Sequence, residues 1–301
     1  MPFGPYDAAS DRTVKAKEDV HDIISRIDIE KTPVVSAIPI KSTHDVLYRW
    51  LTDSLEAPDP TNNLEIGGDM PVPVDTVRVE SSNYVQQFHA ELSVSATQEA
   101  VAQFGMDSEI DTQRSKKTIE LKRHVEARVL SDGTQQAPTP TNANLGLMDG
   151  LSTQIATNVD SGGVFNQAQM DALMATIFNA GGEPGDVYCD STRKQEISDF
   201  TATDRRAFQA ANEVHNTVEV YESDFGEVRV HYHWQMPATV NAAANDIEVG
   251  ILDHSLLELR ELQPLAWEVM AKTGKATREL CTWQLTLANR NELGHGAFKD
   301  L

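Results

Sequence analysis

The chain has 301 residues, 40% hydrophobic and 24% charged, which suits one large or two small globular domains with ample length to bury a core. Asp and Glu number 46 against 25 Lys and Arg, a net charge of −21, and so acidic a surface repels nucleic acid and anionic membranes. No run of about 18 apolar residues is present to cross a membrane, and the opening Met-Pro-Phe-Gly-Pro-Tyr-Asp lacks the basic and apolar regions of a secretory signal.

Residues 1–17 carry turn formers and no periodicity, and they read as an extended arm. Val20, Ile23, Ile24 and Ile27 then fall at helical spacing and predict a short amphipathic helix over Glu18–Ile27. Thr32-Pro33 restarts the chain, with Thr32 as a cap and Pro33 as a first helical residue. A long two-armed projection follows over Val46–Ser95. In its first arm Val46, Tyr48 and Trp50 share one face; in its second, Phe88, Ala90, Leu92 and Val94 alternate with His89, Glu91, Ser93 and Ser95. The tip between them holds Pro58, Pro60, Gly67, Gly68, Pro71 and Pro73. A ribbon this long cannot bury both faces on its own subunit, so it needs neighbours.

Asp107 and Ser108 offer caps for a long helix reaching about Leu130. Acids load its first turns and Lys122, Arg123, His124 and Arg128 its last, which complements the helix dipole. Its apolar stripe of Ile110, Leu121, Val125 and Val129 is narrow, so the helix should lie along a surface. A Pro- and Gln-containing linker to Gly146 marks the main boundary. Beyond it Leu147–Val159 reads as helical, Asn166 caps a helix that Gly181-Gly182 stops, and Val187-Tyr188-Cys189 is a short buried strand leading to a helix near Phe200. A hairpin spans Val218–His233, Ile247–Leu252 is a buried strand, and Leu265–Lys272 with Ala276–Asn289 form a second hairpin with one long arm. The order is mixed α+β, with strands and helices segregated.

Chemistry is sparse. Cys189 and Cys281 sit in no paired motif and read as buried apolar residues. His231 and His233 share the spacing of one strand face and are compatible with a metal, with His215 or Asp253 as a third ligand; two solvent-facing polar residues are the simpler reading. Gly67-Gly68 and Gly181-Gly182 lack the strand, Lys and Ser/Thr of a phosphate loop, and neither GxSxG nor HExxH occurs. Lys116-Lys117 and Lys122-Arg123 are interleaved with Glu109, Glu120 and Glu126, so they read as ion-pairing groups within or between subunits. No catalytic convergence is legible, and no cofactor is expected.

The layout of arm, ribbon, long surface helix, linker, compact α+β unit and returning hairpin resembles the Hong Kong 97-type bacteriophage capsid fold. The patches Tyr48–Leu55, Gly67-Gly68-Asp69, Ser93–Ala100, Glu120–Ala127, Ser223–Glu227 and Ala271–Gly274 are similar to a family of phage major head proteins. The resemblance implies an N-terminal arm over 1–45, an E-loop over 46–95, a P-domain over 96–145 with spine helix 107–130, an A-domain over 146–262 and returning P-domain strands over 263–301. It implies a major capsid protein of the virion, synthesised in the host cytoplasm, whose copies form hexamers and pentamers around double-stranded DNA without binding it specifically. A portal protein, a separate scaffolding protein and a decoration protein are its expected partners, with no membrane. Subunit contacts are expected from Tyr48, Trp50, Asp53, Leu55, Gly67, Gly68, Asp69 and Phe88 on the E-loop and from Arg114, Lys117 and Arg123 on the spine helix. Leu51–Thr76 contains no lysine, which speaks against the covalent cross-link some relatives form there. An encapsulin-type compartment shell and a metal enzyme built on His231 and His233 are the alternatives.

Overall fold

A computed structural model describes residues 31–63, 66, 68, 76–101, 108–139, 146–161, 163, 165–200, 220–236, 247–272 and 274–299. The expected arm and the helix over Glu18–Ile27 lie outside the described residues, as do Gly67 and Asp69. The architecture has two sheets, each backed by helices, and a separate two-stranded ribbon.

The first sheet has the order β1-β10-β11-β4, from strands Ile40–Ser42 (β1), Leu257–Val269 (β10), Ala276–Asn289 (β11) and Gln86–Ser95 (β4). β10 and β11 form a long antiparallel hairpin running from the Leu257↔Asn289 pair to the Val269↔Glu279 pair. Its first arm is longer than the sequence suggested, because Pro264 falls where the register slips between Gln263 and Ala266. A proline cannot donate to the ladder but is accommodated at such a bulge. Along β4, Phe88, Ala90, Leu92 and Val94 are buried while His89, Glu91, Ser93 and Ser95 are exposed. Each large apolar side chain so buried is worth about 1.5–3 kcal/mol.

These side chains point at the long helix Glu109–Leu130 (α3), whose N-cap Ser108 accepts from the Asp111 backbone N–H. Leu121, Val125 and Val129 of α3 are fully buried in one cluster with Phe88, Leu285 and Leu287. The short helices are Pro33–Ala37 (α1), Ala96–Ala100 (α2) and Leu151–Gln154 (α4). Helix is thus confined to four residues where Leu147–Val159 was expected. Met148, Leu151 and Ile155 fill the first core from this otherwise irregular stretch.

The second sheet is β5-β12-β9-β6-β8-β7, from Val159–Ser161 (β5), Gly296–Lys299 (β12), Ile247–Leu252 (β9), Asp186–Cys189 (β6), Gly226–Tyr232 (β8) and Val220–Ser223 (β7). Helices Gln167–Asn179 (α5) and Ser191–Phe200 (α6) belong to this unit. Met170, Leu173, Met174 and Ile177 of α5 join Val187, Val228, Ile251 and Phe298 in a second core. Asn166 caps α5, and Gly181 beyond its end adopts φ of 86°, a left-handed conformation that favours glycine.

The ribbon pairs Leu47–Thr52 (β2) with Val79–Tyr84 (β3), from Leu47↔Tyr84 to Thr52↔Val79. The strand at Phe88–Ser95 is therefore not the second arm of the ribbon. It pairs instead with β11, Phe88 opposite Trp283 and Ser95 opposite Ala276. A period of two says which face of a strand is apolar and nothing about its partner, and the apolar face of β4 needs a core beneath it.

Candidate subunit-assembly surface

The ribbon is rooted by a buried amide. Asn83 of β3 is fully buried; its Nδ2 donates to the Leu287 carbonyl at 2.7 Å and its Oδ1 accepts from the Asp149 N–H at 2.8 Å. On the same strands Tyr48 and Trp50 stack at 5.9 Å between ring centroids, and the Arg260 guanidinium sits 4.7 Å from the Tyr48 ring. Trp50 and Thr52 wall a cleft of about 550 Å³ whose far side is Gln154, Asn291 and Glu292.

Beyond this root the ribbon faces solvent with apolar side chains. Leu51 is 63% exposed, Val79 62%, Val77 84% and Leu55 97%. Cross-strand pairs Arg49–Glu80 at 2.8 Å and Arg78–Asp53 at 3.0 Å flank them, and the hydrogen bond from Arg78 lowers the Asp53 pKa. Such exposed pairs fix strand register more than they stabilise. Gly68 is exposed near the tip. An apolar strip this open on an isolated chain marks a contact surface.

The spine helix presents a different chemistry. Arg114 grips Glu279 of β11 through two contacts of 2.5 and 2.6 Å, and Glu279 is buried. Lys117 pairs with Glu120 at 2.7 Å, and Arg123 is half-buried. Phe88 is buried under the helix and 7% exposed, so within one subunit it serves the core. Of the expected contact residues, the structure brings Tyr48 and Trp50 together with Asp53 and Leu55 further along the ribbon. Arg114, Lys117 and Arg123 lie apart from them on α3.

In the sequence Glu126 reads as one of the acids pairing with the lysines and arginines of the helix, and its buried role was missed. Its carboxylate accepts from the Val34 and Val35 N–H groups at 2.9 and 2.8 Å and from His233 Nε2 at 2.7 Å. It thereby caps α1, where the Thr32 side chain makes no cap bond. Amid so many acids, only a position on the apolar stripe beside Val125 and Val129 could have singled it out. Glu258 was missed too: burial works to raise its pKa, but the Lys41 hydrogen bond and the Arg260 charge outweigh that and the net shift is downward.

His231 and His233 serve separate acids. His231 Nε2 meets Asp186 at 2.7 Å and its ring stacks on Tyr188, while His233 is buried against Glu126. His231 and His233 keep one strand face, both against the Tyr188 ring at 5.2 and 6.3 Å, but at His233 that face is covered by Glu126 of α3, so the residue is buried and does not face solvent. Among the described residues no group of three or more His, Cys, Asp or Glu is placed to hold a metal ion. No helix among them is long and apolar enough to cross a membrane.

A two-sheet subunit with a lateral spine helix and a projecting ribbon defines the Hong Kong 97-type phage capsid fold. The comparisons agree. The chain aligns with a structure described as the capsid of a native GTA particle at TM-score 0.70 and 12% identity, covering 97% of this chain and 98% of that one. The capsid structure of Cyanophage P-SCSP1u gives 0.64 at 10% identity, with 96% and 94% covered. A structure from Microbacterium phage Oxtober96 gives 0.68 at 8%, with 98% and 99% covered. No curated protein matches. The family model described as SU10 major capsid protein matches residues 7–301. The chain belongs to the SU10 major capsid protein family, and it is a structural protein of the phage head shell. The compartment-shell and metal-enzyme alternatives are not favoured.

Proposed function

We propose that copies of this chain assemble as hexamers and pentamers into a closed icosahedral shell around double-stranded phage DNA, with each ribbon laid over a neighbouring subunit. The observation that carries this reading is the ribbon itself: Leu51, Leu55, Val77 and Val79 are exposed on a two-stranded projection that the rest of the described residues leave uncovered. Tyr48, Trp50, Asp53, Leu55 and the Gly67–Asp69 tip form the ribbon's share of the contact. Arg114, Lys117 and Arg123 form the spine's share. The net charge of −21 lets DNA be packed beside the shell without adhering to it. The role is structural, not catalytic. Synthesis takes place in the host cytoplasm, and a portal protein and a separate scaffolding protein are its partners.

The test is expression with the scaffolding protein from the same genome, followed by electron microscopy. Closed shells are expected, and a chain that stays monomeric at every concentration and ionic strength overturns the reading.

A further inference from the structure

Among the described residues of this acidic chain, three cations, Lys41 on β1, Arg260 on β10 and Arg290 after β11, converge on the buried carboxylate of Glu258. Lys41 Nζ lies 2.6 Å and Arg290 Nη1 3.6 Å from its Oε1, and Arg260 Nη2 bonds its Oε2. Three cations on one anion leave a positive surplus in a chain of net −21. The side chains of Lys41 and Arg290 are 51% and 58% exposed, so the surplus faces solvent. Among the described residues β1 is also the edge of its sheet: it pairs there with β10 alone, all three of its residues are exposed, and Ile40 is 49% exposed. An open edge with unpaired backbone groups, an apolar side chain and excess positive charge is suited to an extended acidic segment.

The same sequence supplies one. Residues 51–76 contain six acids, Asp53, Glu56, Asp59, Glu65, Asp69 and Asp75, and no Lys, Arg or His. Asp53 is partnered by Arg78, while Glu56 and Asp59 are exposed. Leu55 beside them is 97% exposed, which gives the segment an apolar component to match Ile40.

We propose, on the basis of the shell-building reading above, that the Lys41–Arg260–Arg290 surface and the open β1 edge receive the acidic ribbon tip of a second copy of this chain. Tip and receiving surface are different parts of one molecule, so the contact is heterologous. A heterologous contact closes into rings when the rotation permits and otherwise propagates as filaments. Burial of apolar groups supplies most of the affinity, and the charges set register, encounter rate and salt sensitivity. A chain so acidic repels its own copies, which makes a local inversion of sign an effective guide to one orientation.

Three variants test this in the full chain with its scaffolding protein, beside the wild type. Glu56→Lys with Asp59→Lys reverses exposed tip residues that nothing in the subunit's core requires. Lys41→Glu with Arg290→Glu reverses the receiving surface. Each alone should lower shell yield about tenfold at low ionic strength, and all four together should restore it to within about twofold. A further variant, Lys41→Cys with Glu56→Cys, should give disulfide-linked chain ladders on a denaturing gel after oxidation, since Cys189 and Cys281 are buried. Shells with no interchain linkage, or reversals that leave yield unchanged or are not rescued together, overturn the proposal and leave the capsid reading intact. A receiving-surface reversal that changes only DNA content, with shell yield unaffected, also overturns it. Failure of the wild type to form any shell overturns both readings and is seen before any variant is scored.

Discussion

Glu126 Oε1 accepts from His233 Nε2 at 2.7 Å although 107 residues separate them, and both side chains are fully buried. The Gln235 N–H donates to His233 Nδ1 at 3.1 Å, so that nitrogen carries no proton and the imidazole is the neutral Nε2–H tautomer. The carboxylate therefore accepts three N–H groups, two from α1 and one from the second sheet's unit. It ties the start of the described chain, the spine helix and the turn after β8 to a single point.

Glu126→Ala strands those three buried donors. It should reduce subunit stability by about 3 kcal/mol in urea unfolding. A loss below about 1 kcal/mol would show that water or a neighbouring group replaces the carboxylate.

Burial lowers the His295 pKa to about 4 against an ordinary value of 6.5. Its Nδ1 accepts from the Asp253 N–H and its Nε2 meets Asn289, so the fold holds the neutral ring. Below 6.5 the unfolded chain binds a proton that the folded chain refuses. Stability is therefore full above about pH 6.5, falls as pH drops toward 4 and levels off below, by about 3 kcal/mol in all. The pH dependence of unfolding for isolated subunits checks this, and His295→Gln should flatten that part of the curve.

Arg114→Ala leaves the buried Glu279 carboxylate without its two-pronged partner and should cost about 2 kcal/mol. Arg114→Lys keeps the charge but not the fork, and should fall between. Thermal unfolding of the three proteins orders them. Equal stability of Ala and wild type would mean that Glu279 is satisfied by water.

Trp50→Ala removes one wall of the cleft beside the ribbon root while Asn83 continues to anchor β3. Shell yield should drop several-fold with little change in the subunit's melting temperature. The reverse outcome, unchanged yield with an unstable subunit, would assign Trp50 to the subunit's own packing.

Burial pushes the Cys189 thiol up to about 12 and raises that of Cys281 as well. Native protein at pH 8 should react with thiol reagents at neither site, and denatured protein should react at both. Rapid labelling of native chain would reveal an opening of the cores.

Much of the fold was legible because its signals were local. Ser108 and the charge gradient marked α3, Asn166 and Gly181 bracketed α5, and strict alternation marked β4 and β8. What failed was pairing. β3 reads Val-Glu-Ser-Ser-Asn-Tyr, polar enough to escape notice as a strand, so β2 was assigned the wrong partner. His233 was misplaced because only the tertiary fold shows that Glu126, 107 residues away, covers that end of the strand face. Of the ribbon, the placement of Trp50 on its first strand could be read directly. The Glu258 cluster could not, because Lys41, Glu258, Arg260 and Arg290 meet only once β1, β10 and β11 are side by side.

β12 lies inside the second sheet, flanked by β5 and β9. A ribosome synthesises Gly296–Lys299 after every other strand of that sheet, so the layer stays gapped until those residues emerge. Phe298, fully buried in the second core, seals it. A nascent or prematurely terminated chain therefore exposes an unfinished core that is open to proteolysis.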